Sequence, residues 1–245
     1  MDRRDFLRTG LLLTATAVGL TACAPTPTGE TMPSTTPTPD ATPTPTTGSR
    51  VLLAYFSRPG ENYYYGDRID LDVGNTQIVA EMIAAAITVD TYRIEPADPY
   101  PDDYEQTVDR NVQEENDNAR PAIANPLPDL SGYDTVLLGC PVWNSQTPMI
   151  MRTFVEGVDL AGKTVHPFVT FAVSRMGRVR SDYTDLLPDT TITEGLAIQG
   201  EEAQQAQGQV EAWLRGIGLL KRPGFGGGSQ LTEDESHGST EEVPG

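Results

Sequence analysis

Three largely apolar runs limit what this chain can become: residues 51–56 (VLLAYF), 135–140 (TVLLGC) and 164–171 (TVHPFVTF), the last broken by Pro167. A strand that is apolar on both faces needs cover on both faces, and parallel central strands have it. Between and after the runs, the spacing turns helical. Residues 75–87 place Ile78, Val79, Met82, Ile83 and Ala86 on one face. Residues 104–118 read as a polar helix, 148–155 as a second and 180–187 as a short third. Residues 201–217 carry Val210, Trp213, Leu214 and Ile217 at helical spacing. Shorter strands are expected at 91–95 and 190–198. Pro167 suggests that its strand begins there, since proline cannot donate to a ladder. Five strands alternating with helices predict an α/β fold with a doubly wound parallel sheet. Right-handed crossovers then put ligands beyond the C-terminal ends of the strands, at the topological switch.

Composition locates this domain within the chain. Of 245 residues, 1–49 offer no plausible core and the stretch from Pro223 is Gly, Ser and acid. Residues 50–222 remain, enough for one domain with a real core. The final segment, 223–245, is expected to be disordered. Two Cys rule out a disulfide framework, and two His make a His-based zinc site implausible. A net charge of −18 and a pI near 4.3 argue against nucleic acid as a partner. They also argue against polybasic attachment to anionic lipid.

The N-terminus reads as an address. A charged start is followed by 13 apolar or small residues, Gly10 to Ala22. That run is too short for a membrane-spanning helix, which needs about 20 residues, and it fits a secretory signal. Leu20-Thr21-Ala22-Cys23 resembles the lipobox of bacterial lipoproteins, in which the Cys is lipidated and becomes the mature N-terminus. Arg3-Arg4 followed by Phe6-Leu7-Arg8 resembles a twin-arginine signal. Such signals carry folded proteins, often with a cofactor inserted. Residues 1–22 hold three Arg and two Asp, so their removal takes the charge from −18 to −19. Residues 23–49 alternate Pro and Thr and predict an extended, semi-rigid stalk.

Three loops should carry the chemistry. The first joins Ser57-Arg58-Pro59-Gly60 to Gly74-Asn75-Thr76 at a helix start. Unpaired N–H groups and a positive dipole end suit a phosphate there. A plain helix cap by Asn75 or Thr76 would explain the trio equally well. The second loop, Pro141-Val142-Trp143-Asn144, sets a Trp just past a buried strand. It could stack on a flat ring or lid the core. The third, from Phe171 to Gly177, is small and apolar and is weak by itself.

Together these loops resemble the flavodoxin fold, and specifically the flavodoxin-like lipoproteins of bacteria. The matching stretches are VLLAYFSRPGENY, GNTQIVAEMI, YPDDYEQTVDRNVQEENDNARPAI, YDTVLLGCPVWNSQTPMIMRTFVE and GKTVHPFVTF, in order from about Val51 to Leu219. Residues 59–73 match an insertion in that family. The resemblance implies a flavodoxin-like doubly wound sandwich whose five-stranded parallel sheet has the order 2-1-3-4-5. It also implies FMN. Ser57, Arg58, Gly74, Asn75 and Thr76 would hold the phosphate. Pro141, Val142, Trp143 and Asn144 would flank the isoalloxazine, and Thr170, Phe171, Ala172, Val173 and Ser174 would form the other wall. Two places depart from the family pattern: relatives usually carry a second Trp at Asn144, and a His- and Gly-rich loop at 171–175.

Cys140 reads as a buried small residue and His166 as structural. Eight acids and one base between Asp98 and Asp117 read as a solvated helix face or as a docking surface for a basic redox partner. Three functions fit. One is an FMN electron carrier tethered to the membrane by its lipid, outside the cytoplasm, serving a redox protein or membrane electron donor. Another is an FMN-dependent reductase of quinones or other small acceptors. The last is a flavin-free binding module. The address has its own test: mass spectrometry of the mature N-terminus should find an acylated Cys23, and an unmodified Cys23 or an intact leader would reject it.

Overall fold

The computed structural model describes residues 51–221. The leader, the lipidation position Cys23, the stalk and the acidic tail lie outside the described residues. The elements are β1 (Val51–Tyr55), β2 (Gly60–Tyr64), β3 (Asp67–Leu71), α1 (Asn75–Ala86), β4 (Asp90–Arg93), α2 (Tyr104–Asn116), β5 (Thr135–Pro141), α3 (Met149–Gly157), β6 (Thr164–Phe171), α4 (Val179–Leu186), β7 (Thr191–Ile192), β8 (Leu196–Gln199) and α5 (Gln207–Gly216).

The main sheet runs β4-β1-β5-β6, with β7 and β8 both beside β6, and every pairing in it is parallel. Counting β7 and β8 as one interrupted strand, the order is 2-1-3-4-5, as the resemblance implies. Alternation along β1 shows why it sits centrally. Leu52 and Ala54 join a core with Ile150, Phe154 and Tyr183 of α3 and α4. Leu53 and Tyr55 join the opposite core with Val79, Ile83, Val210 and Leu214 of α1 and α5. Both faces are covered, so the run carries no polar alternation. Gly139 has a packing role here: a side chain at that position would overlap the ring of Phe168 on the neighbouring strand.

Helix α2 packs differently, by polar groups. Its buried residues are Thr107, Asn111 and Glu114. Tyr100 Oη donates to Glu114 Oε2 at 2.8 Å, and Arg110 lies 4.1 Å over the Tyr100 ring while bonding Glu114 Oε1 at 2.8 Å. Burial and the Glu114 carboxylate push the Tyr100 hydroxyl far above its ordinary pKa, so it stays a donor.

Four features differ from the sequence reading. Pro167 lies in the middle of β6, opposite Leu138. The expected last strand is broken at 193–195, where Gly195 has φ 79°. These two facts explain each other. Gly195 sits against the Pro167 carbonyl. A strand residue's nitrogen and carbonyl face the same neighbour. The missing N–H therefore points into the break, where no ladder bond is lost. The C-terminal helix opens as a 3-10 segment, Gly200–Gln205, before α5. Finally, the 59–73 insertion folds into the antiparallel β2–β3 hairpin, a sheet of its own.

His166 supplies a measurable consequence. It is 7 % exposed, and its Nδ1 lies 3.0 Å from Thr193 Oγ1. Burial lowers its pKa, so the fold prefers the neutral ring. The unfolded chain gains that proton first as pH falls below about 6.5, and stability drops through this window. Urea midpoints at pH 7.5 and 5.5 should differ more for the wild type than for His166→Gln. Equal differences would show that His166 titrates freely in the fold.

Candidate functional site

The site begins where β1 ends. Ser57 Oγ accepts the N–H of Gln77 at 3.1 Å, so the cap of α1 comes from the β1 loop. The N-cap residue itself is Gly74, with no side chain to offer, and neither Asn75 nor Thr76 caps the helix. A methyl on Gly74 would overlap Ser57 Oγ and the Arg58 carbonyl. Only glycine allows this close approach. Thr76 Oγ1 instead lies 2.7 Å from Thr170 Oγ1, tying α1 to β6 through two buried hydroxyls. Among the described residues, the N–H groups of Asn75 and Thr76 have no acceptor, as expected for the first turn of a helix.

The second loop is a tight turn. Trp143 and Gln146 exchange backbone hydrogen bonds at 3.2 and 2.9 Å. Asn144 and Ser145 between them have φ 46° and 62°. Two consecutive left-handed residues define the mirror-image turn that suits Asn and strains Ser. The third loop braces the second. Val142 N–H donates to Thr170 O at 2.9 Å, Arg178 N–H to Ser145 O at 2.7 Å, and the Arg178 guanidinium to Gln146 Oε1. Gly177 has no side chain where one would overlap the Ser145 carbonyl. The indole of Trp143 is held by ring contacts: Phe56 at 5.5 Å and 87°, and Tyr100 at 5.0 Å and 78°.

One cleft brings most of the predicted residues together at the carboxyl edge of the sheet. Ser57, Arg58, Asn75, Thr76, Pro141, Val142, Trp143, Thr170, Phe171 and Ala172 line it. Others stand elsewhere. Gly74 is buried behind the first loop. Asn144 turns away, and its Nδ2 donates to Glu115 Oε2 on α2 at 2.6 Å. Val173 is 77 % exposed, and it and Ser174 lie outside the lining. Arg58 lines the cleft with a guanidinium already engaged: it donates to the carbonyls of Pro101 at 2.8 Å, Asp102 at 3.1 Å and Glu61. Burial lowers the pKa of this guanidinium, and the nearby Asp102 and Glu61 carboxylates oppose that shift. Its visible role is to fasten the β2–β3 hairpin to the loop before α2.

The cleft also holds residues that the sequence reading missed: Asn62 and Tyr63 of β2, Tyr104 of α2, and Gly200 and Glu201 of the 3-10 segment. The hairpin forms a roof. Arg68 of β3 lies 3.7 Å over the Tyr104 ring and pairs with Glu105 at 3.0 Å. At the tip, Tyr65 N–H donates to Glu201 Oε1 at 2.9 Å. A signal for the hairpin was present, since a Tyr-rich run ends in Tyr65-Gly66 with φ 47° and 96°. Nothing local marks Glu201.

Beneath the cleft, Cys140 is fully buried, and its thiol lies 3.7 Å from Tyr183 Oη. Burial pushes its pKa up to about 12, so the sulfur remains a thiol.

Comparisons with known proteins agree with this architecture. The flavodoxin family profile matches residues 71–217. Two solved Bacteroides structures, both provisionally described as flavoproteins, resemble the chain. The one from Bacteroides uniformis is 29% identical, with a TM-score of 0.55, and the match covers 69% of this chain and 99% of that one. The one from Bacteroides eggerthii is 33% identical, with a TM-score of 0.55, over 69% of this chain and 98% of that one. No functionally curated protein matches. The family match spans more than half of the chain, and the parallel order and the cleft position agree with it: the chain belongs to the flavodoxin family.

Proposed function

We propose that this protein binds FMN in the cleft at the carboxyl edge of its sheet and carries electrons while tethered by a lipid outside the cytoplasmic membrane. The carrying observation is that a single cleft is lined by Asn75 and Thr76, with free N–H groups, and by the braced indole of Trp143. Free N–H groups at a helix start suit a phosphate, and an indole beside them suits a flat ring. Membership of the flavodoxin family and the likeness to two structures provisionally described as flavoproteins support the same ligand.

In this reading the donors at the start of α1 hold the phosphate, with Ser57 keeping that helix end in place. Trp143, Pro141 and Val142 flank the ring, and Thr170, Phe171 and Ala172 wall its other side. Bound flavin supplies the one- and two-electron chemistry, while the protein sets its exposure and surroundings. The tether rests on the sequence around Cys23 and on the Pro/Thr stalk.

A reductase of small acceptors is the second reading, and one observation favours it. Trp143 also borders a neighbouring pocket lined by Val108, Val112 and Val142 together with Arg58, Asn62, Thr107, Asn111 and Asn144, a mixed wall that suits a small acceptor with both apolar and polar groups.

The test is direct. The chain without its leader, purified from cytoplasm, should show flavin bands in the visible spectrum. Trp143→Ala should weaken FMN binding by about 1–3 kcal/mol, the range of ring stacking on an aromatic side chain. A colourless chain that FMN cannot reconstitute rejects both readings. Steady NAD(P)H oxidation in the presence of a quinone favours the reductase over the carrier.

A further inference from the structure

The cleft proposed for flavin is not the whole of the hollow beside Trp143. A second pocket, of about 270 Å³, opens between the hairpin, α2 and the second loop. That volume is near the lower end for small-molecule sites. Val142 and Trp143 line both spaces, as do Arg58, Asn62 and Tyr104. Val108 and Val112, one turn apart on α2, line only the second, and they are 37 and 41 % exposed. Valines and an indole give this pocket an apolar side with room for a ring.

The polar side narrows the occupant. Among the residues that line the pocket, Arg58 alone is charged. A guanidinium excludes a cation. An anion is poorly served too, because Arg58 already donates to the carbonyls of Pro101, Asp102 and Glu61. An ion that leaves water needs a full partner. Asn111 and Asn144 each give an N–H to Glu115, at 2.7 and 2.6 Å, and that carboxylate is not part of the lining. The Tyr104 hydroxyl has no hydrogen-bond partner among the described residues, so it is a donor in reserve. What fits is a neutral ring bearing oxygen acceptors.

We propose that this pocket is a site of its own for a small quinone, filled at the same time as the flavin cleft. The ring lies among Val108, Val112 and Trp143, and one carbonyl oxygen accepts from the Tyr104 hydroxyl. The proposal deepens the reductase reading and rests on it for the use made of the site. A quinone held against Val142 and Trp143 shares a wall with the flavin cleft and does not have to enter it.

Duroquinone is the probe, because its ring is fully methylated and cannot add to a thiol. Durene, the same ring without carbonyls, is its control. Equilibrium dialysis against the chain without its leader, flavin-stripped or saturated with FMN, gives the affinities. Duroquinone should bind both forms with affinities within about twofold. Val112→Trp fills the pocket from an exposed position on α2. It should weaken duroquinone about tenfold or more and change FMN less than about twofold, and Val108→Phe should act in the same direction. Tyr104→Phe should weaken duroquinone about two- to tenfold, as for one neutral hydrogen bond, and leave durene unchanged. Displacement of duroquinone by FMN overturns the inference, because one cleft would then serve both. So does duroquinone binding that neither valine variant alters, or durene bound as tightly as duroquinone. A chain that binds FMN and no duroquinone rejects this inference and keeps the carrier. A chain that binds no flavin, yet binds duroquinone until Val112 is replaced, keeps the pocket and rejects the flavin reading.

Discussion

The contact between Gly74 and the β1 loop fixes everything above the sheet. Because Gly74 carries no side chain, the backbone at the start of α1 can lie against Ser57 and the Arg58 carbonyl. Ser57 then caps a helix 20 residues further along the chain. The helix end is thereby held at the carboxyl edge of β1. The Thr76–Thr170 pair anchors the same end to β6. An α1 displaced by one side chain would take its free N–H groups out of the cleft and break the hydroxyl bridge.

The opposite wall is held by strain and compensation. A two-residue turn with left-handed backbone at Asn144 and Ser145 is uncommon without glycine. It persists because its neighbours over-determine it: Arg178 bonds the Ser145 carbonyl, and Asn144 is tied to Glu115 on α2. The tie from Asn144 turns that side chain toward α2, so a turn residue expected beside the ring serves as a brace. Trp143, next to it, keeps its place through Phe56 and Tyr100.

What the sequence made legible follows from which forces are local. Strands covered on both faces read as apolar runs, so β1, β5 and β6 were visible, and with them the loops beyond their ends. Pro167 misled because the rule about proline assumes an uninterrupted neighbour, and the break at 193–195 removes that assumption. Val173 and Ser174 lie outside the cleft: Val173 is exposed, and the Ser174 carbonyl opens the turn that closes on the Gly177 N–H. Glu201 meets Tyr65 across 136 positions of sequence. No period or motif encodes such a meeting; it arises only once the sheet has set the spacing between β1 and β8.

The hairpin shares no ladder with the main sheet, and the family match starts at residue 71, where β3 ends. Its attachments are a handful of hydrogen bonds: Arg58 to the Glu61 carbonyl, Glu61 N–H to the Asp102 carbonyl and Tyr104 N–H to the Glu61 carboxylate at its base, Arg68 along its edge and Tyr65 at its tip. Such a roof can lift without unzipping a parallel strand. Asn62 and Tyr63 line the cleft from the hairpin and would move with it, so access to the cleft would be set by these few fastenings and not by the parallel sheet.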